Sequence, residues 1–578
     1  MTTDPLRLGL AQIDTTVGDI AGNEEKVGTL LEEARGAGAQ LVLFPELALT
    51  GYPPEDLLLK DHFLADARAA LDRVAARAHD VVALVGFPER AVEDVYNAVG
   101  VLADGQVQAI YRKVYLPNYG VFDEQRYFQS GEAGGLLEMG DTLVGLTICE
   151  DMWEPGPPAS DEALAGATVL VNVSASPYHA GKGAEREAMM VQRARDNLAA
   201  VAFCNLVGGQ DELIFDGHSL VIDHTGEVVA RAAQFEEELL LVTIDPHASR
   251  GARLRDARHR PAAARVRPHV STLAKVPLPE RAGGVASAPG RVAELLDPLA
   301  EVYHALSRGL RDYVDKNGFG HVVLGLSGGI DSALVACIAV DALGAGRVAL
   351  VVMPSPYSSG ETQEDARALV LALGVEPLEL GIEPAMRAFE EMLAGTFDGR
   401  PPDITEENLQ ARIRANLLMA LSNKFGWLVL TTGNKSEMSV GYSTLYGDSA
   451  GGFAVIKDVP KTLVYELVRH RNAAGTESPV PDSILQRSPS AELRPEQRDE
   501  DSLPPYAVLD PILEGYVEDD LGREQLLSRG FAEGDVDRVI GLVDGAEYKR
   551  RQVPPGIRIS TKSFGRDRRM PITNRYPG

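Results

Sequence analysis

The apolar segment His321-Val322-Val323-Leu324 runs into Gly325-Leu326-Ser327-Gly328-Gly329-Ile330-Asp331-Ser332 and then into the unbroken apolar stretch Ala333 to Val340. This order reads as a buried strand, a tight turn and a helix start, which confines the second half of the chain to an α/β unit with the turn at a strand's carboxyl end. A helix N-terminus there leaves unpaired N–H groups and the positive end of the dipole facing outward. Such a place holds a phosphate. Gly328 and Gly329 let the backbone approach phosphate oxygens, and Ser327 and Ser332 add hydroxyl donors. A Gly pair alone fits an ordinary strand-to-helix turn; the whole set following a strand favours the phosphate loop. Asp331 narrows the chemistry, because a carboxylate beside a polyphosphate repels it unless a divalent cation lies between, and this predicts Mg2+.

At roughly 150 to 250 residues per domain, 578 residues imply two or three domains. The formal charge of −28 argues against a broad nucleic-acid footprint, since phosphate backbones attract Lys- and Arg-rich faces. Cys149, Cys204 and Cys337 lie far apart, without metal-ligand spacing or a disulfide framework, as expected in a reducing cytoplasm. The opening Met1-Thr2-Thr3-Asp4-Pro5 lacks a secretory pattern, and no apolar run approaches the ~18 residues of a membrane span. A cytoplasmic protein with no membrane partner is expected.

In the first half, apolar strands over Leu6 to Ile13, Gln40 to Phe44 and Val81 to Phe87 alternate with helical stretches over Asn23 to Ala37 and Asp61 to Arg77. Two further strands meet at a turn on Asp104-Gly105, and this hairpin-rich pattern predicts an α/β layered sandwich. Glu46, Lys113 and Cys149 each stand at a predicted strand end. Chemically they form a sensible set: a base for the thiol, a cation for an oxyanion, and the nucleophile. Taken singly, a Cys ending an apolar strand is commonly a core residue, and a Glu or Lys at a strand end is commonly solvated.

The surroundings decide between these readings. Phe44-Pro45-Glu46, Arg112-Lys113 and Ile148-Cys149-Glu150-Asp151 resemble the carbon–nitrogen hydrolase (nitrilase-like amidase) family over about Leu6 to Asp245. The resemblance implies an αββα sandwich and a catalytic Glu46–Lys113–Cys149 triad that cleaves an amide through a thioester. The segment Asn172 to Lys182 resembles the glutamine-contacting segment of glutaminase members, which implies glutamine binding by Ser176 and Lys182, with Tyr119 from the loop after Lys113. Cys204, inside a strand, is expected to be structural.

Between Pro246 and Gly290 the periodicity fades into Arg- and Ala-rich and then Pro-, Gly- and Ser-rich stretches. We read 1–270 as the first domain, 271–290 as linker and 291–578 as the second domain, opening on a helix over 291–317. The Arg-rich run 250–267 is expected to be an interdomain or oligomer salt-bridge surface. Repeated βα units after the phosphate loop predict a doubly wound parallel sheet of Rossmann-like type, with ligands beyond the carboxyl ends of its strands. Asp331, Thr432 and Glu437 all fall there, and Glu437 is the natural second magnesium carboxylate.

The loop lacks the Gly-Lys-Ser/Thr ending of a Walker loop and resembles that of the ATP-pyrophosphatase family, which attacks the α-phosphate of ATP. With Thr432-Gly433-Asn434, Tyr446-Gly447-Asp448, Lys457 to Lys461 and Glu547 to Gln552, the second half resembles NAD synthetases; the pairing of halves resembles the glutamine-dependent NAD+ synthetase family. That resemblance implies three substrates: glutamine, ATP and deamido-NAD+. ATP is expected on residues Gly325 to Ser332, Thr432 and Lys461, deamido-NAD+ on Asn408, Glu437 and Lys549, and Mg2+ on Asp331 and Glu437. It also implies a homo-oligomer and an internal path for ammonia. Leu445 stands where ammonia-only synthetases carry a lysine, so that contact must come from elsewhere, with Lys549 a candidate. The polar, Pro-rich stretch Asn472 to Pro505 reads as a lid over a hydrolysable adenylate, or else as a surface insertion. An amidotransferase for another adenylated acid, and a nucleotide sensor fused to an amidase, are the rival readings.

Overall fold

The computed structural model describes residues 5–257, 259–265, 269–280, 290–474, 478–494 and 497–576. The opening Met1 to Asp4, residues 281–289 of the expected linker and residues 475–477 and 495–496 of the expected lid lie outside them. The chain forms two compact units, 1–210 with 214–296 and 211–213 with 297–578.

Two mixed sheets build the first unit. One has the order Glu238–Ile244, Leu6–Gln12, Leu41–Leu43, Val82–Ala91, Asp94–Ala103, Gln106–Arg112. The other runs Val228–Arg231, Leu220–Ile222, Ala200–Asn205, Val169–Ser174, Thr142–Ile148, Gly134–Met139, Val270–Val276. Side chains alternate across each strand, so every second residue faces the partner sheet. Leu8, Leu10, Leu41 and Leu43 thus meet Leu146, Ile148, Val171 and Val173 in a central core. The opposite faces carry Val42, Phe44 and Val85 under Leu31 and Leu71 of the helices Ile20–Gly36 and Asp61–Ala75. On the far side, Leu170, Val201 and Phe203 pack under Met190 and Ala194 of the helix Lys182–Asn197. The result is the αββα sandwich. Asp104 and Gly105 take φ of 51° and 77°, as a type I′ hairpin requires.

The second unit holds an all-parallel sheet in the order Pro377–Glu379, Val348–Val352, Val322–Gly325, Leu428–Thr431, Phe453–Ala454. Numbered along the chain this is 3-2-1-4-5, a doubly wound topology whose strand order reverses between Val322–Gly325 and Leu428–Thr431. Ligands of such sheets lie in the crevice at that reversal. A second core forms among helices, with Leu509, Ile512, Val536, Val539 and Val543 buried together. Among the described residues no helix is long and apolar enough to cross a membrane.

Three sequence expectations need correction. Val270–Val276, read mainly as linker, pairs in parallel with Gly134–Met139 and closes the edge of a sheet. The Arg-rich run preceding it forms helices Ala248–Arg255 and His259–Arg265, and Arg253 is buried, donating to the carbonyls of Ala167, Asn197 and Leu198. The Arg253 guanidinium thus satisfies backbone carbonyls inside the first unit and is not part of a surface. The helix expected from Arg291 begins at Pro298, because Arg291 and Ala293 exchange backbone hydrogen bonds with Arg231 and hold that stretch extended.

Asp297 then starts the helix Pro298–Lys316. Its side chain accepts from the Leu299 and Ala300 N–H groups, with Pro298 in the first turn. Asp297→Ala is expected to destabilise the second unit by about 1 kcal/mol, read as a lower urea midpoint at unchanged slope.

Candidate active sites

In the first unit the reactive residues follow strand ends facing the same way. Cys149 ends the strand Thr142–Ile148 at φ 41°, ψ −99°, a strained turn that lifts the thiol off the sheet before the short helix Glu150–Trp153. Glu46 follows Leu41–Leu43 and Lys113 follows Gln106–Arg112; both are fully enclosed. Lys113 Nζ donates to Glu46 Oε1 at 2.7 Å and to Glu124 Oε1 at 2.8 Å. The Glu46 carboxylate also accepts from Asn97 Nδ2 at 2.7 Å and from the Ala175 N–H at 2.9 Å. Two of the ammonium's three donors are engaged, leaving one for a substrate oxygen.

Burial, reinforced by the charge of Glu46 and opposed by Lys113, pushes the Cys149 thiol well above its ordinary range, so the resting nucleophile is a thiol. Burial likewise pushes Glu124 up to about 7, with Glu46 adding to the rise and Lys113 working against it. Tyr52 OH donates to Glu124 Oε1 at 2.9 Å. Asp151 joins the strand ends: it accepts from the Val114 and Tyr115 N–H groups at 3.0 and 2.9 Å, from the Ile148 N–H at 3.0 Å and from Tyr111 OH at 2.9 Å. Asp151 follows Cys149 by two residues, a signal present in the motif. Glu124, Asn97 and Tyr52 carried no such signal, because only the fold brings them in.

The expected glutamine contacts surround this centre. Tyr119 OH donates to the Glu150 carboxylate next to Cys149, at 2.9 Å. Lys182 Nζ lies 3.8 Å from the centre of the Trp153 ring and donates to Glu185 at 3.1 Å, while burial lowers its pKa. Ser176 is buried one residue beyond Ala175 and donates its N–H to Asn205 Oδ1 at 2.9 Å. Cys204 faces the intersheet core and donates to the Ala11 and Leu43 carbonyls, a structural thiol.

In the second unit a cavity of about 640 Å³ opens at the strand reversal. Every position from Gly325 to Ser332 lines it, as do Thr432 and Lys461 and also Asn408, Glu437 and Lys549. Gly328 sits at φ 79°, and a Cβ there would lie 2.3 Å from the Thr362 carbonyl oxygen, so only glycine fits. Ser327 Oγ accepts the Gly329 N–H, and Ser332 Oγ donates to the Gly329 carbonyl. Asp331 Oδ1 accepts from Asn434 Nδ2 at 2.9 Å, while Lys461 Nζ bridges Asp331 Oδ2 and, at 3.3 Å, Glu437 Oε1. Burial weakens the Lys461 charge, but these two carboxylates hold the ammonium protonated. Burial raises Glu437 against the pull of Lys461.

Ser436 and Asp510 fix this cluster from behind. Ser436 Oγ accepts the Lys461 N–H at 2.8 Å and donates to Asp510 at 2.5 Å, and Asp510 also accepts the Thr462 N–H at 2.9 Å. Asn408 and Lys549 reach the cavity with their polar groups engaged: Asn408 Oδ1 accepts from Thr444, and Lys549 Nζ donates to the Gly441 and Ser443 carbonyls. Near Leu445 the cationic side chain is Arg412, which donates to the Leu445 carbonyl at 3.2 Å. Sequence reading did not single out Arg412, since an Arg within a helix resembles any solvated position.

The stretch expected as a lid packs on the phosphate loop. It contains the helix Asp482–Gln486, with Val480, Ile484 and Leu503 buried. Arg487 donates to the Gly328 carbonyl at 3.1 Å, and Glu492 accepts from Thr362 at 2.7 Å.

A carbon–nitrogen hydrolase family model matches residues 7–254, and an NAD synthase family model matches residues 302–553. The glutamine-dependent NAD+ synthetase of Thermotoga maritima is 49% identical, covering 99% of both chains. That of Aquifex aeolicus is 48% identical over 99% of this chain and 100% of its own. A solved glutamine-dependent NAD+ synthetase from Acinetobacter baumannii, in complex with adenosine diphosphate, superposes with a TM-score of 0.74 at 39% identity over 99% of each chain. Family models thus match both halves, relatives of one kind match the chain end to end, and the chain belongs to the glutamine-dependent NAD+ synthetase family.

Proposed function

We propose that the first unit releases ammonia from glutamine at Cys149, Glu46 and Lys113, and that the second uses it to amidate deamido-NAD+ activated by ATP. The observation that carries this reading is the enclosed Lys113 ammonium between Glu46 and Glu124, beside a thiol that is neutral at rest. Cys149 Sγ attacks the side-chain carbonyl of glutamine as Glu46 takes the thiol proton, and the free Lys113 donor stabilises the oxyanion. Glu46 returns the proton to the departing nitrogen as the C–N bond breaks, and water then cleaves the thioester. Tyr119, Ser176 and Lys182 hold the amino-acid end of glutamine, the last two suiting its α-carboxylate.

In the second unit the nicotinate carboxylate of deamido-NAD+ attacks the α-phosphate of ATP, pyrophosphate leaves, and ammonia displaces AMP from the acyl adenylate. The loop Gly325 to Ser332, Thr432 and Lys461 hold ATP, and Asn408, Glu437 and Lys549 hold the dinucleotide. No cluster of three or more His, Cys, Asp or Glu able to hold a metal occurs among the described residues. Asp331 and Glu437 instead offer the paired carboxylates with which Mg2+ is held jointly with phosphate oxygens. Bound there, Mg2+ would neutralise the charge of the leaving pyrophosphate. The working form is a homo-oligomer, as the family resemblance implies, in the reducing cytoplasm that the three separate cysteines suit.

Cys149→Ala should lower glutamine-supported NAD+ formation by at least ~10³-fold while ammonium-supported formation of NAD+ and AMP continues. Equal loss with both nitrogen sources, by chromatography of products, would sink the division of labour. Gly328→Ala strains a left-handed residue and drives a Cβ into Thr362, so pyrophosphate release should fall by on the order of 10²-fold with glutamine and ammonium alike. Chelating Mg2+ should stop AMP production yet leave glutamine hydrolysis running; AMP formed at full rate without the metal would contradict its assigned place.

A further inference from the structure

On one face of the helix Lys182–Asn197 the first two cations, Lys182 and Arg186, stand four residues apart, with Arg193 two turns further on. Lys182 lies over Trp153; Arg186, wholly without solvent, is the largest fully buried side chain among the described residues. Arg186 NH2 donates to Asp216 at 2.5 Å, also fully buried, and NH1 donates to Ser176 Oγ at 3.3 Å. Nothing in the amide-cleaving step requires this ion pair, and burying two charges is costly unless each is fixed by its neighbours. Its hydrogen-bonded link to the reactive centre is Ser176. The backbone there is anchored twice: Asn205 holds Ser176, and the preceding Ala175 N–H sits on Glu46.

A serine hydroxyl has one proton and two acceptor lone pairs. With a guanidinium N–H on one lone pair, the Ser176 proton must point away from Arg186, and a cationic donor polarises that O–H further. The hydroxyl becomes a directed donor suited to an anion. Asp216 meanwhile neutralises Arg186, so the pair contributes direction without a bare charge.

We propose that Arg186, held by Asp216, is a positioning residue that aims the Ser176 hydroxyl at the substrate α-carboxylate and so sets the preference for glutamine over amides lacking that carboxylate. This rests on the reading of Ser176 as a glutamine contact. The probe is 4-aminobutanamide, which is glutamine without its α-carboxylate, and the readout is kcat/KM for ammonia release from each amide by the full-length enzyme. Arg186→Lys keeps a cation for Asp216 but lacks the planar fork needed to reach Ser176 as well. The glutamine preference should fall about tenfold in Arg186→Lys, as for one lost hydrogen bond to a charged group. Ser176→Ala should show a similar fall, and the double variant no further loss.

Wild-type preference in Arg186→Lys alongside a loss in Ser176→Ala would overturn the proposal and leave the glutamine site intact, as would losses that multiply. Wild-type preference in Ser176→Ala would overturn both the proposal and the reading beneath it. If Arg186→Lys does not fold, as judged by circular dichroism, the paired variant Arg186→Gln/Asp216→Asn, which leaves no charge buried alone, is scored by the same outcomes.

Discussion

A lysine ammonium sealed from water must be surrounded by negative charge, and much of the first unit follows from that requirement at Lys113. Glu46 and Glu124 both close on Nζ, yet two carboxylates around one ammonium leave an excess of negative charge. The structure answers with neutral donors: Asn97 and the Ala175 N–H on Glu46, and Tyr52 on Glu124. Removing one member of such a buried set typically costs about 3–5 kcal/mol. Burial, reinforced by the charge of Glu46, disfavours a resting thiolate, so Cys149 depends on Glu46 to take its proton at the moment of attack.

The second unit meets a related problem more openly. Lys461 also lies between two carboxylates, Asp331 and Glu437, but on the wall of a cavity instead of inside a core. Ser436 and Asp510 fix the backbone of Glu437's helix to that of Lys461, so the spacing of opposite charges is held without a ligand. An array of preset charge suits a reaction that moves a polyphosphate, where stabilisation comes from groups already in place.

Both units use one geometric device. Parallel neighbours end together, and the loops after them carry the chemistry: Cys149 and Ser176 follow adjacent parallel strands, as do Asp331 and Thr432. Strand interiors are left to packing, as at Cys204, a thiol buried in the intersheet core that donates to two carbonyls.

What the sequence determined by itself was local. Short apolar runs gave the strands, the Ser-Gly-Gly-Ile-Asp-Ser turn gave the phosphate loop, and the motifs around Glu46, Lys113 and Cys149 carried the family resemblance. Its boundaries failed where long-range pairing overrides local pattern. Val270–Val276 looks like linker until it meets the edge of Gly134–Met139, and Arg291 looks helical until Arg231 pairs with its backbone. The companions of each site were invisible for the same reason. Glu124, Asn97 and Asp216 lie in stretches with no periodic or motif signal, and only closure of the sheets brings them against Lys113, Glu46 and Arg186. Hydrogen bonding and charge pairing act over a few ångströms of space, whatever the separation along the chain, so tertiary structure alone chose those partners.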